Sequence, residues 1–197
     1  MKITVLGAGS WGTTLALVLE ENGHEVVCWS FDPEDVSQIN KTGENKRFLP
    51  GVPLPKSIRF IANLKDSVRE TGAIVVVVPS HAVRNVISEI KDMVLDTTIW
   101  INAAKGIENK SFLRMSEVIK EVTHSDASKV AVLSGPSHAE EVSRKVPTAI
   151  VSGSEDPETA GIKQCAGWRK LPRGRHYPDR WAPDHLARVQ RDGRSAP

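Results

Sequence analysis

The sequence predicts an α/β fold built on a doubly wound parallel sheet, and three observations carry that prediction. Short β-rich runs alternate with helical stretches from the first residues to about Ser152. A Gly-x-Gly-x-x-Gly turn, Gly7-Ala8-Gly9-Ser10-Trp11-Gly12, follows the first run and opens the first helix. The most apolar run, Ala73 to Val78, shows no alternation, as expected of a parallel strand covered on both faces.

The elements follow in order. Ile3-Thr4-Val5-Leu6 is the first strand. Ser10 can cap the next helix, whose apolar face includes Leu15, Val18 and Leu19, and Asn22-Gly23 ends it. Glu25 to Trp29 is the second strand. Asp32-Pro33-Glu34 opens a second helix, with Asp32 as cap and Pro33 in the first turn. Lys41 to Lys56 carries three prolines and two glycines and reads as loop, and Ile58 to Ile61 is a weak strand. After the Ala73–Val78 strand, Pro79-Ser80 starts a helix from about His81 to Lys91. Thr98 to Asn102 is a strand, Ser111 to Val122 a helix, and Lys129 to Leu133 a strand. Ser134-Gly135-Pro136-Ser137 opens another helix, and Thr148 to Ser152 is the last strand. Right-handed crossovers bring all strand C-terminal ends to one edge. Gly7, Pro79, Lys105 and the Ser134 turn therefore gather there, where ligands bind in this architecture.

Composition sets the outer bounds. The chain has 197 residues, 40% hydrophobic and 25% charged, enough for one full domain and a small remainder. No stretch of 18 apolar residues suggests a membrane span, and the short apolar start does not read as a signal peptide. Cys28 and Cys165 form no CxxC pair, which fits a reducing cytoplasm. The charge is uneven. Residues 1–160 hold 17 Lys and Arg against 21 Asp and Glu, while 161–197 hold 9 against 3. We expect a dinucleotide-binding domain over 1–160. A basic, irregular stretch with Trp168, Trp181 and scattered prolines follows over 161–197. Interleaved aromatic and basic residues can bind single-stranded nucleic acid. No RNA-binding module accompanies these, so no nucleic-acid partner is expected.

The glycine turn carries the clearest chemistry. Gly7 permits the tight exit from the strand, Gly9 lets the backbone approach a pyrophosphate, and Gly12 lets helix and strand lie close. The helix N-terminus offers free N–H groups and partial positive charge to the phosphates. An acidic ribose reader is expected where the second strand ends, but neutral Ser30 stands there, with Phe31 next and Asp32 committed to a cap. NAD and NADP both stay open. Lys105, at the end of the Ile99–Asn102 strand region, can reach a phosphate or substrate hydroxyl, and equally fits a solvated loop lysine. Ser137 with Glu140 reads as a capping box, and the same helix start can alternatively receive an anion. His81 and His138 lie near this edge without an evident carboxylate partner, and no His/Cys cluster has metal-ligand spacing.

Taken together, the segments from Ile3 to Thr13, Phe48 to Val52, Val78 to Ser80, Ala104 to Glu108 and Leu133 to Val142 resemble bacterial NAD(P)-dependent glycerol-3-phosphate dehydrogenase in order and spacing. The set GAGSWGT, AAKGIE and LSGPSHAEEV is far more specific than a glycine turn, and the likeness covers about Met1 to Ala160. The resemblance implies a Rossmann domain using NAD or NADP. It implies cofactor contacts from Gly7, Gly9, Ser10, Trp11, Gly12, Phe31, Phe48, Lys105 and Ala139. It makes Lys105 the catalytic residue on this domain, touching cofactor and substrate, and implies substrate contacts from Gly135 and Ser137. Phe48 stands where the family often has tyrosine, and Phe31 where it often has a basic residue.

The implied substrates are the small phosphates dihydroxyacetone phosphate and sn-glycerol 3-phosphate. The family adds an all-helical C-terminal domain that supplies a second lysine as proton acceptor. The likeness stops near Ala160, as truncation or a shifted reading frame produces, and Lys163 and Lys170 stand in unmatched sequence. We therefore expect the helical domain to be absent, and this chain alone to be inactive or nearly so. A non-catalytic NAD(P)-binding module is the alternative, and a related dehydrogenase acting on a hydroxy acid is a further one. An uncovered domain face is expected to favour association, which leaves a homo-oligomer open.

Overall fold

A computed structural model describes residues 1–148, 150–157 and 159. Among these, seven strands form one sheet: β1 (Lys2–Leu6), β2 (Glu25–Trp29), β3 (Arg59–Ile61), β4 (Ala73–Val76), β5 (Ile99–Asn102), β6 (Val130–Ser134) and β7 (Val151–Ser154). Their order is β3-β2-β1-β4-β5-β6-β7. The first six run parallel. The helices are α1 (Ser10–Glu21), α2 (Pro33–Thr42), α3 (Leu64–Ser67), α4 (Ser80–Ser88), α5 (Met115–Thr123) and α6 (Ala139–Ser143). The basic stretch 161–197 lies outside the described residues.

The sheet divides the interior into two cores. Ile3, Val5, Val26, Cys28 and Val75 point to one face, where Leu15, Ala16 and Leu19 of α1 cover them. Leu6, Ile74, Val76 and Trp100 point to the other, under Val83 and Ile87 of α4 and Ile119 of α5. Strand alternation thus distributes an unbroken apolar run between two helical layers. Thr4, fully buried in β1, keeps its hydroxyl satisfied by donating to the Ser67 carbonyl at 2.6 Å.

Local signals explain most element ends. Gly23 closes α1 with φ +80, its N–H donating to Glu20 O at 2.8 Å. Asp32 caps α2 by accepting from the Glu34 N–H at 2.9 Å, with Pro33 in the first turn as expected. Several boundaries differ from the sequence reading. β4 stops at Val76, two residues early, because the chain turns toward Pro79, which has no N–H to continue a ladder. α4 starts at Ser80 and ends at Ser88, followed by a 3-10 turn at Lys91–Met93. α5 starts only at Met115, because Phe112 takes a left-handed conformation, φ 57, in a turn closed by Glu108 and Leu113.

The sheet is parallel, as expected, from β1 to β6, and only its last strand departs from that pattern. β7 runs antiparallel to β6, with Val151 opposite Ser134. Ahead of it, α6 lies against α1, where the Thr14 hydroxyl is shared between Ser10 O at 2.9 Å and Ala139 O at 3.2 Å, and the chain then enters the sheet from the C-terminal edge.

Candidate functional site

Chain order reverses between β1 and β4, so their C-terminal ends diverge into a crevice at the centre of the sheet. The glycine turn occupies it. Gly7 has φ +120, and a Cβ there would lie 3.2 Å from the Val77 carbonyl group and the Val78 nitrogen. At Gly12 a Cβ would lie 1.8 Å from Gly7 O, so α1 rests directly on the turn. Gly9 is the opposite case: a Cβ there would meet nothing within 4 Å. The turn is therefore pressed against protein at two glycines and open at the third. Gly9, rather than the expected Ser10, takes the N-cap position, and Ser10 is the first helical residue. Trp11, in the first turn of α1, packs partly against the core.

Beyond β2, Ser30 is buried and its Oγ accepts from the Asp32 N–H at 3.4 Å. Both Asp32 oxygens are engaged, one in the α2 cap and the other with Arg47 Nη1 at 3.2 Å. The same Arg47 nitrogen lies 3.0 Å from Asp35, and its guanidinium sits 4.9 Å from the Phe48 ring centroid. Phe31 is 74% exposed and Phe48 37% exposed, so both rings face solvent on this side of the turn.

On the other side of the crevice, Asn102 shapes the exit from β5 by accepting from the Ala104 N–H at 3.1 Å. Lys105 follows. It is exposed, with no hydrogen-bond or ion-pair partner among the described residues. Gly106 turns with φ +97 against Ser80 at the start of α4. The far side of this loop is clasped by Arg84, which binds Glu108 at 2.8 Å and Glu121 at 2.9 Å. The Arg84 guanidinium, helped by the Ser111 hydroxyl, holds the Glu108 carboxyl down at about 2. A carboxyl that titrates lower when folded stabilises above its ordinary value of 4.5 and loses that contribution as pH falls toward 2. Glu108→Gln is therefore expected to flatten part of the Tm decline across that interval. Superimposable acid limbs for both proteins would refute the clasp.

Gly135 and Ser137 lie in the loop after β6, the next strand along the edge. The predicted capping box is absent. His138 is the N-cap of α6, and Ser137 Oγ instead donates to Gly135 O at 3.4 Å. The helix starts one residue later than that box requires, so Ser137 lies in the loop before the cap. Ala139 is buried beside α1 through Thr14. The expected site residues therefore lie along one edge, from Phe31 through the glycine turn to Lys105 and Ser137. Sequence reading missed Asn45, which is 1% exposed within the loop before Phe48. Only its place beside the Phe48–Val52 segment could have drawn notice.

A nucleotide-binding domain of the α/β dehydrogenase class is what this edge defines. Residues 2–160 match the family model described as the NAD-dependent glycerol-3-phosphate dehydrogenase N-terminus, and the chain belongs to that family. A glycerol-3-phosphate dehydrogenase [NAD(P)+] of Chlorobium phaeobacteroides is 48% identical over 167 residues, 84% of this chain and 50% of its own length. One from Bacillus mycoides is 46% identical over 160 residues, 81% of this chain and 47% of its own length. The crystal structure of a Coxiella burnetii glycerol-3-phosphate dehydrogenase aligns with TM-score 0.77 and 34% identity, over 90% of this chain and 52% of that one. The chain spans about half the length of the curated relatives it matches. The family's cofactor is NAD or NADP. Among the described residues no helix is long and apolar enough to cross a membrane, and no group of three His, Cys, Asp or Glu side chains could hold a metal ion.

Proposed function

We propose that this chain binds NAD(P)H for the interconversion of dihydroxyacetone phosphate and sn-glycerol 3-phosphate, a phospholipid precursor. The observation that carries the reading is the contrast within the glycine turn, packed shut at Gly12 and open at Gly9. Gly7, Gly9, Ser10, Trp11 and Gly12 would receive the pyrophosphate, where N–H groups and the α1 dipole favour negative charge. Phe31 and Phe48 would line the adenosine side, and Ala139 the opposite wall. The nicotinamide, when bound, supplies or accepts hydride at the substrate carbon. Lys105 would donate from its Nζ to the substrate oxygen and stabilise charge there. Gly135 and Ser137 would hold the substrate phosphate.

The 197-residue polypeptide by itself is proposed to turn over little. Lys163 and Lys170 stand in sequence unlike that which the resemblance gives the family's second lysine, so neither is assigned the proton transfer at the substrate oxygen. A cytoplasmic setting goes with this reading: Cys28 is a free, buried thiol, its pKa pushed up by desolvation. Exposed Ile107 and Phe112 beside the Lys105 loop support association into a homo-oligomer.

One titration tests the core of the proposal. Nicotinamide fluorescence of NADH and NADPH is followed with the pure chain, with and without dihydroxyacetone phosphate, and NAD(P)H oxidation is then assayed. Saturable binding with a substrate-dependent change is expected. Binding with no response to substrate would favour a non-catalytic nucleotide module, and no binding of either cofactor would sink both readings.

A further inference from the structure

We propose that Asn45 is a positioning residue for the dinucleotide, aiming the Gly9 N–H at the phosphate space by fixing the neighbouring peptide. This rests on the dinucleotide reading of the glycine turn. Asn45 sits in a loop where Lys46, Arg47 and Phe48 are all exposed, yet it is itself buried. Its Nδ2 donates to Ala8 O and to Thr13 Oγ1, both at 2.8 Å, and its Oδ1 accepts from the Phe48 N–H at 3.2 Å. Thr13, also fully buried, donates its hydroxyl to the same Ala8 O at 3.3 Å.

Two donors therefore hold the Ala8 carbonyl toward the protein interior. A trans peptide is planar, with C=O and N–H pointing in opposite directions. Turning the Ala8 carbonyl inward turns the Gly9 N–H the opposite way, at a residue with open surroundings, where a Cβ would meet nothing within 4 Å. That N–H has no protein acceptor among the described residues. An amide side chain is suited to this task, because it offers two donors and an acceptor in one plane. The third bond joins the Phe48 backbone to the same anchor, so turn and loop are set together.

The test uses the full chain, with NADH and NADPH affinity read by nicotinamide fluorescence and the Gly9 amide followed by NMR. Asn45→Ala should weaken binding about tenfold or more and remove the NADH-induced shift of the Gly9 amide resonance. Thr13→Val, which keeps the side-chain shape, should weaken binding severalfold and serves if Asn45→Ala does not fold. Asn40→Ala removes a comparable side-chain bond, to Phe60 O at 2.9 Å, away from the turn, and should bind as the parent does. Parent-like binding by both Asn45→Ala and Thr13→Val overturns the inference alone. Equal weakening by Asn40→Ala overturns it too, since general loosening then explains the effect. Failure of the unaltered chain to bind either cofactor removes the dinucleotide reading and this inference together.

Discussion

Replacing Gly12 with alanine will unseat α1 and abolish cofactor binding. The new Cβ would stand 1.8 Å from Gly7 O and 3.0 Å from Gly7 C, and both are backbone atoms that cannot rotate aside. The helix must withdraw, lifting Leu15, Ala16 and Leu19 from the sheet core. Overpacking commonly costs about 1–3 kcal/mol, and a backbone clash belongs at the upper end. For a domain of this size about 3 kcal/mol lowers Tm by roughly 6–12 °C. Gly9→Ala supplies the contrast. Gly9 has φ −68 and open space around it, so the fold should tolerate the methyl, yet the methyl would occupy the space proposed for pyrophosphate. Melting curves and NADH titrations on the two variants separate the effects. Gly12→Ala should fail in both, and Gly9→Ala in binding only. Parent-like binding by Gly9→Ala would mean that the opening is not ligand space.

Lys105→Met will leave the fold unchanged and remove the response to substrate. Lys105 is exposed and, among the described residues, makes no hydrogen bond or ion pair that a neutral side chain would break. Its loop is shaped from one end by Asn102 and from the other by the Arg84–Glu108 pair. Surface substitutions of this kind change stability by about 0.5 kcal/mol or less. Function should respond very differently. Losing a preorganised charged donor commonly lowers turnover by about 10²–10³. In the binding assay, dihydroxyacetone phosphate should no longer alter the fluorescence of bound NADH. A parent-like substrate signal in Lys105→Met would remove this residue from the substrate site.

The sequence revealed what depends on local chemistry and concealed what depends on tertiary encounters. Gly23, Asp32 and Pro33 marked helix ends because caps and left-handed turns are local preferences. The run at Ala73 announced a buried parallel strand because burial on both faces suppresses alternation. The direction of β7 was not legible, since nothing in its own residues distinguishes a parallel edge strand from an antiparallel one. The Ser137–Glu140 spacing suggested a box, but the helix starts one residue later, leaving His138 at the cap. Asn45 looked like any polar loop residue, because its partners Ala8 and Thr13 lie more than 30 positions away. The glycine turn, Lys105 and the Ser137 turn were singled out by motif and strand position and the other edge residues by resemblance, while the supports of this edge, Arg84, Thr14 and Asn45, were not.

The central position of β1 also bears on how the protein is made. β1 hydrogen-bonds on one side to β2, which follows closely, and on the other to β4, about 70 residues later. At about 5–20 residues per second, a nascent chain presents β1 with one unpaired edge for several seconds before β4 is synthesised. An apolar parallel strand in that condition invites pairing with foreign chains. The ribosome-bound intermediate, rather than the finished domain, is thus the stage at which this fold is most dependent on chaperones and on the speed of translation between Glu25 and Val76.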